Sequence, residues 1–314
     1  MKVAVIGNGN VGMATFRELQ RMYEIQELVL IGRNLEKIAG EIEDFRDADC
    51  LSLHPTAKLS YGGYDKVKGA DIILYTAGAA QKPGQSRLDL VQQNAQITKE
   101  IFEEVKKYND SAIIVALSNP VDIITLVIQQ TMGTARTRVI GTGTLLDTTR
   151  LKRYISTLVD VSFKSTEMFV LGEHGDSSCI IWSAASILGM SLDDYFSLDV
   201  GEKMSINHSI MSDDVRKTAA KIIAAKGYTA YGVAAAAARV VSAIINDTHE
   251  IFPISLVLQG EYGVQNVAIS VPCMIGKEGI ISIKQMKLTE EEKQAFAHSA
   301  KILSETAETI SLCC

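Results

Sequence analysis

The chain of 314 residues has no surplus of positive charge, since its formal net charge is −6 at pH 7. Nucleic acids and anionic membranes are bound through clusters of lysine and arginine, so this balance disfavours both partners. A membrane-spanning helix needs a run of roughly 18 uncharged apolar residues. The most apolar late segment, YGVAAAAARVVSAIIND, is interrupted by Arg239 and is predicted to be a buried helix. We therefore expect neither a nucleic acid nor a membrane as partner.

The cysteines and histidines lack the spacing of a disulfide framework or a metal site. The five cysteines are an odd number without a C-x-x-C pair, and the five histidines include no H-x-x-x-H or H-E-x-x-H pair. We expect free thiols and no protein-bound metal. The first residues, MKVAVIGNGNVG, have no basic region or apolar core of a secretory signal, so a cytoplasmic protein is expected.

A hydrophobic content of 47% with 22% charged residues is typical of a globular protein, and the length favours two domains. Up to Gly143, short apolar runs alternate with longer amphipathic stretches, the pattern of a parallel sheet with helical crossovers. The predicted strands are KVAVIG, ELVLIG, AKLSYG, DIILYTAG, AIIVALS and RVIGTG. Six such strands predict an α/β domain of the Rossmann doubly wound type over residues 1–143.

After Gly143 the pattern changes to a mixed region that predicts an α+β catalytic domain over residues 144–314. The predicted helices cover 146–158, 213–226, 228–246 and TEEEKQAFAHSAKILSETAETI, and the predicted strands are SLVLQG, VAISVPCMIG and GIISIKQM. No low-complexity linker separates the halves. We expect them to pack tightly with a cleft between them.

The first strand runs directly into a glycine motif, G-x-G-x-x-G, formed by Gly7, Gly9 and Gly12. Glycine permits a tight turn and a close approach of backbone to a pyrophosphate, and the following helix presents free N–H groups. In this strand-turn-helix context, the motif predicts a dinucleotide site that includes Asn10 and Val11.

The second strand lacks the acidic residue that normally binds the adenosine ribose. Gly32 and Arg33 occupy its place in LIGRN. Arg33 could offer a cation to the 2′-phosphate of NADP, or it could stack on adenine or face solvent, with NAD held by other contacts. NAD is favoured, and NADP stays open.

Three further side chains suggest acid/base chemistry. His174 ends an apolar run in LGEHGDSS, and Asp147 and Arg150 lie three residues apart in GTGTLLDTTR. On a helix this spacing places both on one face. A solvated ion pair and a structural histidine are the alternatives. At a domain junction, however, the aspartate can orient the histidine while the arginine faces an anionic substrate.

The motifs GNGNVG, AGAAQKPGQSRLDL, SNPVD, GTGTLLDTTR and LGEHGDSS occur in the order of the lactate/malate dehydrogenase family, which the whole chain resembles. The resemblance implies hydride transfer between NADH and a 2-keto acid. It implies that His174 moves the proton, Asp147 orients it, and Arg150 binds the substrate carboxylate through paired hydrogen bonds.

Further roles are implied by the same resemblance. Arg87 would polarise the reacting carbonyl from a closing loop, Asn119 would contact substrate and nicotinamide, and Thr229 would line the substrate pocket. Gly78 and Ala79 would join the cofactor site. A nucleotide-binding sensor without catalysis is the alternative from another class, but such a protein would be expected to have lost at least one of the chemical residues.

Gln81 bears on the substrate. In malate enzymes of the family this position is an arginine, which pairs with the second carboxylate of oxaloacetate, and in lactate enzymes it is glutamine. Burying the extra carboxylate without a partner would be costly, so Gln81 favours a monocarboxylate, pyruvate or L-lactate. The alternative is a larger substrate, as in hydroxyisocaproate dehydrogenases, although the loop here is compact.

The resemblance also implies a homo-oligomer, a tetramer or a dimer. Many bacterial lactate dehydrogenases bind fructose 1,6-bisphosphate through an arginine and a histidine. Lys152 and Glu167 stand at those positions here. Because a carboxylate repels phosphate, weak or absent activation is expected.

Overall fold

A computed structural model of the chain describes residues 1–52, 57–79, 86–198 and 208–310. Gln81 lies outside these ranges. Arg87 begins a helix, but its side chain is also outside the described part.

The described residues up to Leu158 contain six parallel strands and five α-helices, the last of which follows the predicted domain boundary. The strands are β1 (Lys2–Ile6), β2 (Glu27–Ile31), β3 (Lys58–Gly62), β4 (Ile72–Tyr75), β5 (Ile113–Ala116) and β6 (Val139–Gly141). The helices are α1 (Asn10–Gln20), α2 (Leu35–Cys50), α3 (Arg87–Val105), α4 (Val121–Met132) and α5 (Leu145–Leu158). The strand order is β3-β2-β1-β4-β5-β6, so all six predicted strands are present in the doubly wound order.

The C-terminal half contains short strands, helices and a long antiparallel hairpin. The strands are β7 (Thr166–Glu167), β8 (Val170–Leu171), β9 (Cys179–Ile180), β10 (Ser186–Ile187), β11 (Met190–Ser191), β12 (Ile251–Gln259), β13 (Gln265–Gly276) and β14 (Gly279–Ile283). The helices are α6 (Leu192–Phe196), α7 (His208–Lys226), α8 (Tyr231–Ile245) and α9 (Glu290–Thr309). The strands β8 and β9 form a pair, and β11, β10 and β7 form a small sheet.

The main sheet continues from one half of the chain into the other. β12 pairs antiparallel with β6 through Ser255 and Gly141, and β13 and β14 follow, which gives a nine-stranded sheet. The sequence predicts these three strands within the second domain but does not predict that they extend the first sheet. A strand's own residue pattern does not encode which edge it joins. The α/β class is confirmed, and the boundary at residue 143 stays a prediction.

Burial on both sides of β1 explains its unbroken apolar sequence. Val3 and Val5 pack into the core on one face of the sheet, and Ala4 and Ile6 pack into the core on the other. Because β1, β4 and β5 are parallel neighbours, their carboxyl ends meet at one edge of the sheet, and the predicted motifs follow there.

None of the helices in the described ranges is long and apolar enough to cross a membrane.

Candidate functional site

The glycine motif forms a tight crossing between β1 and α1. Gly7 has φ +114°, and a Cβ on it would lie 2.6 Å from the Thr76 Oγ1. A Cβ on Gly12 would lie 2.1 Å from the Gly7 carbonyl oxygen, so only glycine fits there. A Cβ on Gly9 would meet nothing within 4 Å, and Gly9 is the N-cap of α1. The open face at Gly9, beside the free N–H groups of the helix, fits a pyrophosphate.

The remaining residues of the predicted nucleotide site lie along the same edge. Asn10 is exposed at the first position of α1, and Val11 packs partly against the core. Gly32 follows β2 directly, and Arg33 is exposed before Asn34, the N-cap of α2. Neither of the two residues that directly follow β2 therefore carries a carboxylate.

Asn94, which was not predicted from the sequence, joins two loops of this edge. Its Oδ1 accepts from the Ala79 backbone N–H at 2.8 Å, and its Nδ2 donates to the Asn119 carbonyl oxygen at 3.0 Å. A Cβ on Gly78 would lie 3.4 Å from the Asn94 Oδ1. Asn94 is buried on α3, and a buried side-chain amide requires polar partners. Asn94 thus fixes the spacing between the loops after β4 and β5.

Asp147, Arg150 and His174 are joined in one network. The His174 Nδ1 lies 2.6 Å from the Asp147 Oδ2, and the Arg150 Nη1 donates to the Asp147 Oδ1 at 3.0 Å. Asp147 and Arg150 are both buried, whereas the His174 side chain is 26% exposed. Asp147 occupies the first turn of α5, where the helix dipole favours a carboxylate. The fold thus brings together the three side chains that the sequence suggested would act jointly.

Two threonines hold α5 against β8. The Thr144 N-cap hydroxyl donates to the Val170 carbonyl oxygen at 2.5 Å, and the Val170 N–H donates to the Thr148 hydroxyl at 2.9 Å. These bonds lie one helical turn apart and satisfy both polar groups of Val170. They set the position of β8, which leads directly to His174.

The backbone at His174 is held from two other elements. The Glu173 N–H donates to the Ser299 hydroxyl of α9 at 2.7 Å, and the His174 N–H donates to the Asp122 Oδ2 of α4 at 2.8 Å. His174 is thus bonded at its ring by one aspartate and at its backbone by another. The loop that carries it is fixed before substrate arrives.

Electrostatics favour the imidazolium of His174. Burial opposes the charged ring, but the Asp147 carboxylate outweighs burial, and the His174 pKa is raised above 6.5. Burial would also raise the Asp147 pKa, but His174 and Arg150 outweigh it and lower that pKa below 3.8. Asp147 is therefore a permanent anion at neutral pH, and it keeps a proton on the Nδ1 of His174.

Asp122 is a second functional candidate that was not predicted from the sequence. Burial raises its pKa from 3.8 to about 6, although the Ser255 hydroxyl and the His174 backbone oppose the shift. Asp122 and His174 line a cavity of about 790 Å³ between α4 and α9. The signal lay in SNPVD, which places an acid in the first turn of an apolar segment.

The structure describes the other predicted substrate residues only in part. Gln81 lies outside the described residues, and Arg87 is described only as the first residue of α3. Ser86 and Asp89 form a reciprocal capping box just at that point. Thr229 lies between α7 and α8, and the Asn119 side chain is exposed after β5.

The network of Asp147, Arg150 and His174 can carry out two chemical functions at neighbouring positions. A histidine with a fixed tautomer can give and take a proton at its Nε2, and the guanidinium of Arg150 can bind an anionic group. Family models match both halves of the chain. Residues 1–141 match the model for the lactate/malate dehydrogenase NAD binding domain, and residues 144–311 match the model for its alpha/beta C-terminal domain.

Comparisons of the whole chain with single proteins agree with the two family models. L-lactate dehydrogenase 1 of Clostridium acetobutylicum is 38% identical over 310 residues, which cover 98% of each chain. The L-lactate dehydrogenase of Thermoanaerobacterium saccharolyticum is 37% identical over 99% of each chain. The crystal structure of the minor L-lactate dehydrogenase from Enterococcus mundtii is similar with a TM-score of 0.93 and 35% identity, covering 99% of this chain and 98% of that one.

A lactate dehydrogenase from a Medee basin deep-sea metagenome library also has a TM-score of 0.93, with 32% identity and coverage of 99% of this chain and 98% of that one. The N-terminal family match confirms an NAD-binding domain where the glycine motif predicted a dinucleotide site. Taken with the two models, which together cover almost the whole sequence, these likenesses confirm the resemblance predicted from the motifs: the chain belongs to the lactate/malate dehydrogenase family.

Proposed function

We propose that this protein is an NAD-dependent L-lactate dehydrogenase, which interconverts pyruvate and L-lactate. The observation that carries the proposal is the network in which Asp147 binds both the His174 ring and the Arg150 guanidinium. A permanent anion, an acid/base and a carboxylate-binding cation are the groups that reduction of a 2-keto acid requires. The two curated relatives described above are both named as L-lactate dehydrogenases, which supports this choice.

Each residue of the network has a separate task. NADH, when bound, supplies the hydride to the carbonyl carbon of pyruvate. His174 donates its Nε2 proton to the carbonyl oxygen, which becomes the hydroxyl, and in the reverse direction it takes that proton back. Asp147 stabilises the charged ring, and Arg150 binds the substrate carboxylate with two parallel hydrogen bonds.

The loops around the network complete the proposed site. Arg87 polarises the substrate carbonyl, Asn119 orients substrate and nicotinamide, and Thr229 lines the pocket. Gly7, Gly9 and Gly12 with Asn10 and Val11 bind the pyrophosphate, and Gly78 and Ala79 contact the coenzyme further along the edge. The bonds of Asn94 to the loops after β4 and β5 support this arrangement.

Gln81 supports pyruvate over oxaloacetate, because a neutral amide leaves a second carboxylate without a counter-charge. The test is a steady-state panel of pyruvate, oxaloacetate and 2-ketoisocaproate with NADH. We expect pyruvate to have the highest kcat/KM. A preference for oxaloacetate would disprove the role of Gln81, and a preference for 2-ketoisocaproate would favour a hydroxyisocaproate-type enzyme.

Substitution of the acid/base tests the mechanism itself. His174→Asn should lower kcat by about 10²- to 10⁴-fold while sparing coenzyme binding. His249→Asn is a matched control, because His249 is exposed and has φ 57°, a conformation that asparagine tolerates. Near-normal turnover in His174→Asn, with pyruvate as substrate, would contradict the mechanism.

We also predict weak or absent activation by fructose 1,6-bisphosphate. The Lys152 Nζ lies 3.4 Å from the Glu167 Oε2, so the one cation of the pair is partly neutralised within the chain. A sugar phosphate would have to break this pair and approach the carboxylate. Initial rates at neutral pH should change by less than about twofold on addition of the sugar bisphosphate, and a many-fold activation would defeat the prediction.

A further inference from the structure

The carboxyl ends of β1, β2 and β3 meet at one edge of the sheet. Ile6 pairs with Ile31, and Ile31 pairs with Gly62, so the three strands end in register. The residues that follow them, Asn8, Arg33 and Tyr64, are therefore neighbours although they are far apart in sequence. This edge is where the adenosine ribose lies in a dinucleotide fold of this type.

At the end of β2, Gly32 occupies the position that usually carries an acidic side chain, so this edge has neither that side chain nor its negative charge. A Cβ on Gly32 would lie 3.2 Å from the Ile38 Cγ2 and 3.5 Å from the Asn8 Oδ1. The Asn8 amide thus stands beside the position where an acid would bind a ribose hydroxyl. The Asn8 Nδ2 is buried and has no hydrogen-bond acceptor among the described residues. A buried donor of this kind calls for an acceptor from a ligand.

Arg33 adds a cation to the same place. Its side chain is exposed, and no ion pair joins it to a carboxylate within the part of the chain that the structure describes. Burial raises the pKa of Tyr64, Arg33 opposes that shift and Glu104 adds to it, so both charged side chains lie within electrostatic reach of this residue after β3.

We propose that this edge, formed by Asn8, Gly32 and Arg33, binds the 2′-phosphate of NADPH, so that the enzyme uses NADPH as well as NADH. A phosphate offers only acceptor oxygens and negative charge, which match an amide donor and a guanidinium. With NADH, the ribose hydroxyl can still accept from the Asn8 amide. This inference deepens the proposed function and rests on it, since it concerns the coenzyme of the same reaction.

Binding measurements test the proposal without turnover. The dissociation constants of NADPH and NADH should lie within about tenfold of each other by fluorescence titration. Adenosine 2′,5′-bisphosphate, which carries the extra phosphate but no nicotinamide, should displace NADH at least as well as ADP does. Failure of the bisphosphate to compete at concentrations where ADP competes fully would overturn the proposal.

Single substitutions test which residues bind the 2′-phosphate of NADPH. Arg33→Gln should weaken NADPH about tenfold or more and change NADH by less than about threefold, since only the charge pair with phosphate is lost. Asn8→Asp preserves shape but replaces the donor with an anion, and it should also select against NADPH. Arg21→Gln, at an exposed arginine after α1, is the matched control and should change neither affinity.

Gly32→Asp supplies the converse result. It should restore a ribose-binding carboxylate and repel the phosphate, which leaves NADH binding and removes NADPH binding. Because the Ile38 methyl must shift to admit the new Cβ, circular dichroism should accompany this variant. Equal loss of both coenzymes in Arg33→Gln and in Asn8→Asp would overturn the proposal. If the wild type reduces pyruvate with NADH but does not bind NADPH, only this inference fails; if it binds neither coenzyme, the proposed function fails too.

Discussion

The ring of His174 lies beside the Asp147 carboxylate, and in the proposed mechanism the titration of this ring sets how pyruvate reduction responds to pH. Asp147 raises the His174 pKa against the opposing effect of burial. Asp147→Asn removes the charge but leaves the burial, so the pKa of His174 should fall. Pyruvate reduction needs the protonated ring, and therefore the alkaline limb of its kcat/KM profile should move to lower pH in the variant. A limb that does not move would contradict the assigned pair.

The same titration affects stability. A pKa raised in the folded state stabilises the protein fully below the unfolded value of 6.5, and the contribution is lost as the pH rises through the folded-state value. The lowered pKa of Asp147 acts in the opposite sense, because its contribution is complete above 3.8 and is lost in acid. Both contributions to the free energy of unfolding are therefore complete between pH 3.8 and pH 6.5.

Among single residues, the sequence predicted those that lie close together in the chain on one helix or that belong to a motif of the family. Asp147 and Arg150 share a helix face, and His174 belongs to a motif of the family, so their contact was expected. Asn94 and Asp122 were not predicted, because their partners lie on loops that only the folded sheet brings near. A buried amide or acid signals that a partner exists but does not identify it.

At the scale of elements, the start of α3 matters because Arg87 is its first residue. Ser86 accepts from the Asp89 N–H at 3.1 Å, and the Asp89 carboxylate accepts from the Ser86 N–H at 3.3 Å. Ser86→Ala should cost about 1 kcal/mol of local helix stability and let this turn fray. If Arg87 acts on the substrate, kcat/KM for pyruvate should fall several-fold while the NADH dissociation constant stays constant.

The capping prediction has a matched comparison. Ser86→Asp keeps a good N-cap residue and should retain most of the activity that Ser86→Ala loses. Ser191, which accepts from the Asp194 N–H at the start of α6, offers a second control: Ser191→Ala loses a cap away from Arg87. Equal effects of Ser86→Ala and Ser191→Ala on kcat/KM would argue against a special role for the start of α3.

Elements with a clear pattern were predicted well, and those without one were missed. The six parallel strands are short apolar runs between amphipathic helices, and all six are present. Helix α4 was not predicted, because it is apolar on nearly every side and has no polar face to reveal its period. The two-residue strands β7–β11 are too short for a pattern to form.

At the scale of the whole molecule, a homo-oligomer stays a prediction from the family resemblance, and the single chain exposes several large apolar side chains. Leu51 and Tyr231 are 87% and 69% exposed, and Leu35 and Tyr23 are more than half exposed. A chain of this family is expected to bury such groups between subunits. Light scattering should give a mass of four times, or two times, the chain mass of 34.1 kDa. A single-chain mass at micromolar concentration would contradict this expectation.

The pairing of β12 with β6 has a consequence for folding. If the chain were divided after residue 143, β6 would become an open edge with unpaired backbone groups, and such edges promote aggregation. Residues 1–143 expressed alone should therefore self-associate, despite holding every strand of a complete nucleotide-binding sheet. Co-expression with residues 144–314 should restore solubility by covering that edge. On this prediction, the N-terminal half needs the C-terminal half to cover β6 if it is to stay free of self-association.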